Sequence, residues 1–252
     1  MKRSSRHRQN GSIGLALNPG RFEELKRGAS MAKYFGLDVQ VIGPSDIKGL
    51  WPMLNLDDVL GGVFLPKDGQ VNPTDITQAF AKGARMRGAK IFENQKVEKL
   101  LVENGRAVGV QTAEGVIRAN TVVIAAGMWS RELAAQIGVT LPLHAAEHFY
   151  IVTESVKGLP GNLPVLRVPD ECAYYKEDAG KLLLGAFEPV AKPWSMKGIA
   201  EDFCFDSLPD DIDRHRHGPA IASHPFVDAR CTARQIGGRR RRRRAGNFGL
   251  HL

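Results

Sequence analysis

The chain reads as a mixed α/β protein on three observations. Two segments open on an asparagine-proline pair ahead of a helical apolar period, at Asn18-Pro19 and at Asn72-Pro73. Between Lys90 and Ala126 the period shortens to that of strands, broken by Asn104-Gly105 and Glu114-Gly115. After Leu141, short apolar runs alternate with Gly/Pro-rich breaks, which predicts a second, antiparallel sheet.

The elements follow in order. Asn18-Pro19 opens a helix to about Phe35, with Phe22, Leu25, Ala29 and Ala32 on one face and Gly36 as its stop. A strand at 39–42 follows, then a brief helical turn capped by Ser45 and ending near Trp51-Pro52. Residues 61–66 read as a strand and Lys67-Asp68-Gly69 as a turn. In the second helix Asn72 caps, Pro73 takes the first position and Asp75 complements the helix dipole. Its stripe of Ile76, Ala79, Phe80, Gly83 and Ala84 suits close packing on a sheet, and Gly88 ends it.

A β-meander at 97–102, 107–112 and 116–118 comes next. Residues 121–125 are apolar on both faces, as a doubly buried central strand requires. Gly127 closes that strand, and Ser130 caps a short helix bearing Leu133, Ala134 and Ile137. Further strands are expected at 148–153, 165–168, 174–175 and 182–187, with one of Tyr174 and Tyr175 buried and the other exposed.

The 252 residues, 43% hydrophobic and 25% charged, exclude fibrous, collagen-like, disulfide-scaffold and membrane-spanning classes. Cys172, Cys204 and Cys231 form no metal-ligand spacing and fit a reducing, cytoplasmic compartment. Residues 1–10 are basic with no apolar segment behind them, so they do not read as a secretory signal. The net charge of +8 divides unevenly: 1–10 carry +4, 215–252 carry +8, and 11–214 carry −4. The reading is a basic disordered start at 1–10, a folded body at 11–214, and a disordered Arg/His-rich tail at 215–252. The arginine run 239–244 would neutralise phosphates, but no aromatic is interleaved in it and the acidic body offers no groove. A nucleic-acid partner is therefore the weaker reading, and no membrane partner is expected.

No GxSxG, HExxH, Walker or GxGxxG motif is present. The segment richest in chemistry is 118–130, an apolar strand ending in the small residues Ala125, Ala126 and Gly127 ahead of Trp129 and Ser130. Small residues there let the backbone approach a ligand closely. This segment resembles the flavin-contacting strand of the FAD-dependent amine and amino-acid oxidoreductases, the D-amino-acid oxidase-like family. Within it, the dimethylglycine and sarcosine dehydrogenases are most similar. Other blocks agree in order: Gly11-Ser12-Ile13, Trp51-Pro52-Met53-Leu54, Asp68-Gly69-Gln70-Val71-Asn72-Pro73, Glu147-His148-Phe149-Tyr150-Ile151-Val152-Thr153-Glu154 and Leu183-Leu184-Gly185.

The resemblance covers 11–214. It implies an FAD-binding α/β domain with the β-meander, about 70–140, and an antiparallel-sheet substrate domain from about 11–69 and 141–214. It also implies oxidation of the C–N bond of a small amine or N-methylated amino acid, dimethylglycine- or sarcosine-like, to an imine as the adjacent carbon passes its hydride to FAD, and it leaves the electron acceptor unassigned. By the same resemblance Val97 meets the adenine end, while Ala126, Gly127 and Trp129 line the turn beside the cofactor. His148 and Tyr150 enter the substrate domain, where a polar side chain faces the amine. Each residue has a plainer reading too: Val97 and Trp129 as core residues, His148 and Tyr150 on the solvent side of a strand. The family's opening strand with its glycine-rich turn and its closing glycine-rich segment have no counterpart here, so the domain is expected to be incomplete at both ends. A catalytically inactive piece of such an enzyme is the accompanying alternative.

Overall fold

The computed structural model describes residues 8–148, 150–187, 189–203 and 208. They fall into two compact units, one of 8–79 and 150–190, the other of 80–148 and 191–203. The start up to residue 7 and the 215–252 tail with its arginine run lie outside the described residues. Arg8 and Asn10, by contrast, are held. Arg8 exchanges backbone hydrogen bonds with Gln70 at 2.9 Å, and Asn10 is buried with its Nδ2 donating to Leu163 O.

The first unit is built on a seven-stranded sheet. Its strands are β1 (Ser12–Ala16), β2 (Gln40–Ile42), β3 (Gly61–Leu65), β7 (Tyr150–Val152), β8 (Val165–Val168), β9 (Ala173–Asp178) and β10 (Lys181–Ala186). The order across the sheet is β2-β3-β1-β8-β9-β10-β7, antiparallel at every junction except the parallel β1–β8 pair. Strand alternation sends Ile13, Leu15, Leu166, Val168, Tyr175 and Leu184 to one face. There they pack with Ile47, Trp51, Leu54 and Leu163 into the larger core. Trp51 is fully buried, and its indole N–H is satisfied by Pro164 O at 2.9 Å.

Helix α1 (Pro19–Tyr34) covers part of the opposite face, packing Leu25, Ala29 and Ala32 against Val39, Val63 and Leu65. Asn18 Oδ1 caps it by accepting from Arg21 N at 2.9 Å, as its sequence requires. Helix α2 (Pro44–Leu50) starts two residues earlier than a Ser45 cap would allow. Pro44 takes the first position, and Gly43 N donates to Asp46 Oδ2 at 3.2 Å.

Helix α3 (Pro73–Met86) has its expected cap, Asn72 Oδ1 accepting from Thr74 N and Asp75 N. Its apolar stripe, expected against a sheet, is not buried, and Phe80 is 72% exposed. In the second unit β4 (Val97–Glu103), β5 (Arg106–Thr112) and β6 (Gly115–Arg118) form the meander. Asn104 and Gly105 both take positive φ, 51° and 74°, the geometry of the tight primed hairpin turn.

The doubly buried strand expected at 121–125 does not form. The segment runs without ladder partners among the described residues, and its side chains alternate between half-buried and exposed, with Val123 at 80%. A strand is buried on both faces only where neighbours flank it, and no described strand lends it an edge. Helix α4 (Ser130–Ala135) is preceded by a 3-10 turn at Gly127–Trp129, so Ser130 is its buried first residue rather than its cap. Among the described residues no helix is long and apolar enough to cross a membrane.

Candidate functional site

In the second unit the turn after 121–125 is fixed by its backbone. Trp129 N donates to Ala126 O at 3.1 Å, and Gly127 sits at φ 55°, a conformation that favours glycine. Trp129 keeps 40% of its surface exposed. Helix α4 packs against β4, and Gln136 Nε2 donates to Glu98 O at 3.1 Å. Val97, the first residue of β4, is half-buried and pairs with Thr112. The structure therefore places Val97, Ala126, Gly127 and Trp129 in one unit, on a strand and on the turn ahead of the helix that packs on that strand.

His148 is half-buried at the end of the same unit. It directly follows a stretch in which Glu147 N donates to Lys192 O and Trp194 N to Ala145 O, both at 2.9 Å. A shallow cleft nearby is lined by Met128, Arg131, Glu132, His144, Trp194 and Ile199. Glu132 Oε1 there accepts from Ile199 N at 3.0 Å, so this carboxylate is engaged in holding the loop. No group of three or more His, Cys, Asp or Glu among the described residues is arranged to hold a metal ion.

Tyr150 belongs to the first unit, where it opens β7 and is half-buried. Register places it in a row that sequence reading alone misses. Gly14 pairs with Arg167, Arg167 with Tyr174, Tyr174 with Gly185, and Gly185 with Tyr150. Paired residues of adjacent strands point to the same face, so these five cross the sheet on the face opposite the larger core. The Tyr174 ring lies directly over Gly185, where an added Cβ would meet it at 2.0 Å, and it packs on Phe187 with centroids 5.2 Å apart. Arg167 is exposed. The one signal for it in the sequence is a lone arginine inside the apolar run 165–168.

The β8–β9 connection carries a paired carboxylate. Asp170 Oδ1 accepts from Arg21 Nε at 3.0 Å, and Oδ2 from Leu17 N at 2.9 Å. The hydrogen bond to Asp170 holds the Arg21 guanidinium above its ordinary pKa. On the core face Tyr175 is 1% exposed, and burial, reinforced by the Glu171 charge, pushes its phenol up. The tyrosine pair thus resolves into a buried Tyr175 and a half-buried Tyr174.

The surface at 121–129 suits a flat ring system rather than a phosphate. Val97, Ala126, Gly127 and Trp129 offer apolar, backbone and aromatic surface and no charge, and Val123 beside them is exposed. Uncharged residues of this kind would hold a flavin through contacts to its rings rather than to its phosphates.

The family model described as DAO, FAD dependent oxidoreductase, matches residues 2–237. The 4-methylaminobutanoate oxidase (formaldehyde-forming) of Paenarthrobacter nicotinovorans is 39% identical over 189 residues, covering 75% of this chain and 23% of its own length. The mitochondrial dimethylglycine dehydrogenase of Rattus norvegicus is 35% identical over 214 residues, 82% of this chain and 25% of its own. Among solved structures, L-proline dehydrogenase from P.horikoshii matches with a TM-score of 0.66 and 26% identity, over 75% of this chain and 50% of that one. The chain spans about a quarter of the length of these curated relatives.

Proposed function

Because the chain belongs to the family of FAD dependent oxidoreductases, we propose that it serves the oxidation of the C–N bond of a small N-methylated amine or amino acid, of the dimethylglycine or sarcosine kind. The relatives named for 4-methylaminobutanoate and dimethylglycine support that substrate class. When bound, FAD supplies the hydride acceptor. The observation that carries the reading is the turn Gly127–Trp129, where a left-handed glycine and a partly exposed indole follow an apolar segment whose side chains alternate between half-buried and exposed.

In this reading the backbone at Val97 meets the adenine end. Ala126 and Gly127 admit the cofactor close to the main chain because neither carries a side chain beyond Cβ. Trp129 stacks on a ring. Of the two polar candidates, Tyr150 opens β7 in the first unit and His148 belongs to the second, and either would orient an amine by hydrogen bonding.

Titration of FAD into the protein, followed by flavin fluorescence, tests the cofactor half. Saturable binding that Trp129→Ala weakens, with an unchanged thermal transition, is the expected result. Anaerobic addition of dimethylglycine should then bleach the flavin absorbance. Flavin affinity indifferent to Trp129→Ala would overturn the assignment of the turn, and a flavin that no N-methylated amine bleaches would overturn the substrate class.

A further inference from the structure

We propose that two copies of the chain associate about a twofold axis through the C-terminal end of α1 and the edge strand β2. The face of α1 turned away from the sheet changes character along its length. Glu24 and Arg27 open it with charge, and Met31, Tyr34 and Phe35 continue it at the spacing of one helical stripe. The stripe that packs, Leu25, Ala29 and Ala32, lies on the other side. Met31, Tyr34 and Phe35 are 64%, 87% and 71% exposed, and Leu37 and Val41 beyond them 55% and 44%.

These groups stand on a fixed platform. At φ 78°, Gly36 closes the helix, its N–H donating to Lys33 O at 2.9 Å while Leu37 N donates to Ala32 O at 3.0 Å, the paired bonds of a Schellman cap. The Tyr34 and Phe35 rings meet edge to face with centroids 5.5 Å apart. Rings that hold each other lose less freedom on association.

Strand β2 supplies the edge. Among the described residues it pairs with β3 alone, and Gln40, Val41 and Ile42 include no charge or proline to blunt it. Val41 alternates with buried Ile42 and shares the face of Val39, which packs on α1. Antiparallel pairing of two β2 strands about Val41 sets Gln40 opposite Ile42 and Asp38 opposite Pro44 of the other copy, so no like charges meet. Asp38 is itself paired with Lys67 at 3.8 Å. The same axis brings both α1 ends to one side of the joined sheet.

The area favours a second copy as the occupant. The five exposed side chains amount to about 600 Å², the top of the range for the largest patch on a typical monomer. The β2 main chain and the rim bring this toward the roughly 800 Å² per partner of a stable interface. None of the five carries a charge that would select a partner of other chemistry. An unpaired edge beside an apolar platform is complementary to itself, as a twofold contact requires.

The test is sedimentation equilibrium of the full chain over a series of concentrations, for wild type, Phe35→Glu, Val41→Lys and Phe80→Glu. Wild type should show a reversible monomer–dimer equilibrium. Phe35→Glu and Val41→Lys should each raise its Kd by about tenfold or more, whereas Phe80→Glu, at an exposed aromatic elsewhere, should leave it unchanged. A second measurement uses Val41→Cys. At a twofold axis the two residues stand opposite each other, about 4.5–5.5 Å apart at Cα and within disulfide reach. Oxidation should cross-link this variant into a covalent dimer, and wild type with its own three cysteines should not cross-link. A chain monomeric at every concentration, a dimer indifferent to Phe35→Glu and Val41→Lys, association that continues past the dimer, or a Val41→Cys variant that does not cross-link would overturn the proposal.

Discussion

The carboxylate of Asp170 joins two segments far apart in sequence, taking Arg21 Nε on one oxygen and Leu17 N on the other. It fixes the entry to α1 against the connection that follows β8. Asp170→Ala removes both acceptors at a partly exposed site and should cost about 1–2 kcal/mol. Urea unfolding should show a lower midpoint with an unchanged slope. A midpoint equal to wild type would mean that water replaces the carboxylate at no cost.

Gly185 and Tyr174 occupy what would be one volume if residue 185 had a side chain. Gly185→Ala must drive the ring off β10 and is expected to destabilise the protein by about 1–3 kcal/mol. Adding Tyr174→Ala should return much of that loss. The double-mutant cycle is the measurement, and additive effects of the two substitutions would show that they are independent.

Tyr175 gives a pH signature. Its folded pKa is raised by burial and by Glu171, while in the unfolded chain it ionises near its ordinary 10.0. Raised in the folded state, the group supports folding fully below about pH 10 and loses that contribution as pH rises further. Thermal melts should therefore fall above about pH 10 in wild type and fall less steeply in Tyr175→Phe. Parallel slopes for the two proteins would exclude Tyr175 as the cause.

Gly127 at φ 55° makes the last local prediction. Gly127→Ala should cost about 1 kcal/mol, and Gly127→Asn less, since asparagine tolerates the left-handed region. Chemical denaturation of the two variants checks the order, and alanine at least as stable as asparagine would contradict it.

Local signals account for what the sequence shows. Asn18 and Pro19 announce α1, and its Leu25, Ala29 and Ala32 face is the one that packs. Asn104-Gly105 marks a hairpin because both residues accept positive φ. The row through Arg167 is not legible in this way. It exists only because β8, β9, β10 and β7 align at particular registers, and a shift of one residue would turn Arg167 into the core. The segment 121–125 misleads for the opposite reason. Its composition is that of a buried strand, whereas burial depends on neighbours that composition does not reveal.

The parallel contact between β1 and β8 also dictates an order of events during synthesis. Ser12 finds Val165 only after everything between them has been made, so the sheet of the first unit stays open along one side of β1 while the chain grows. The β1–β3 pair closes earlier, and the meander from Val97 to Arg118 needs only near neighbours. Non-local pairing of this kind slows folding and prolongs the exposure of unpaired edges. Emergence from the ribosome of the β8 to β10 stretch is thus the committed step for the first unit, and a nascent chain halted before Val165 should be a client for chaperones.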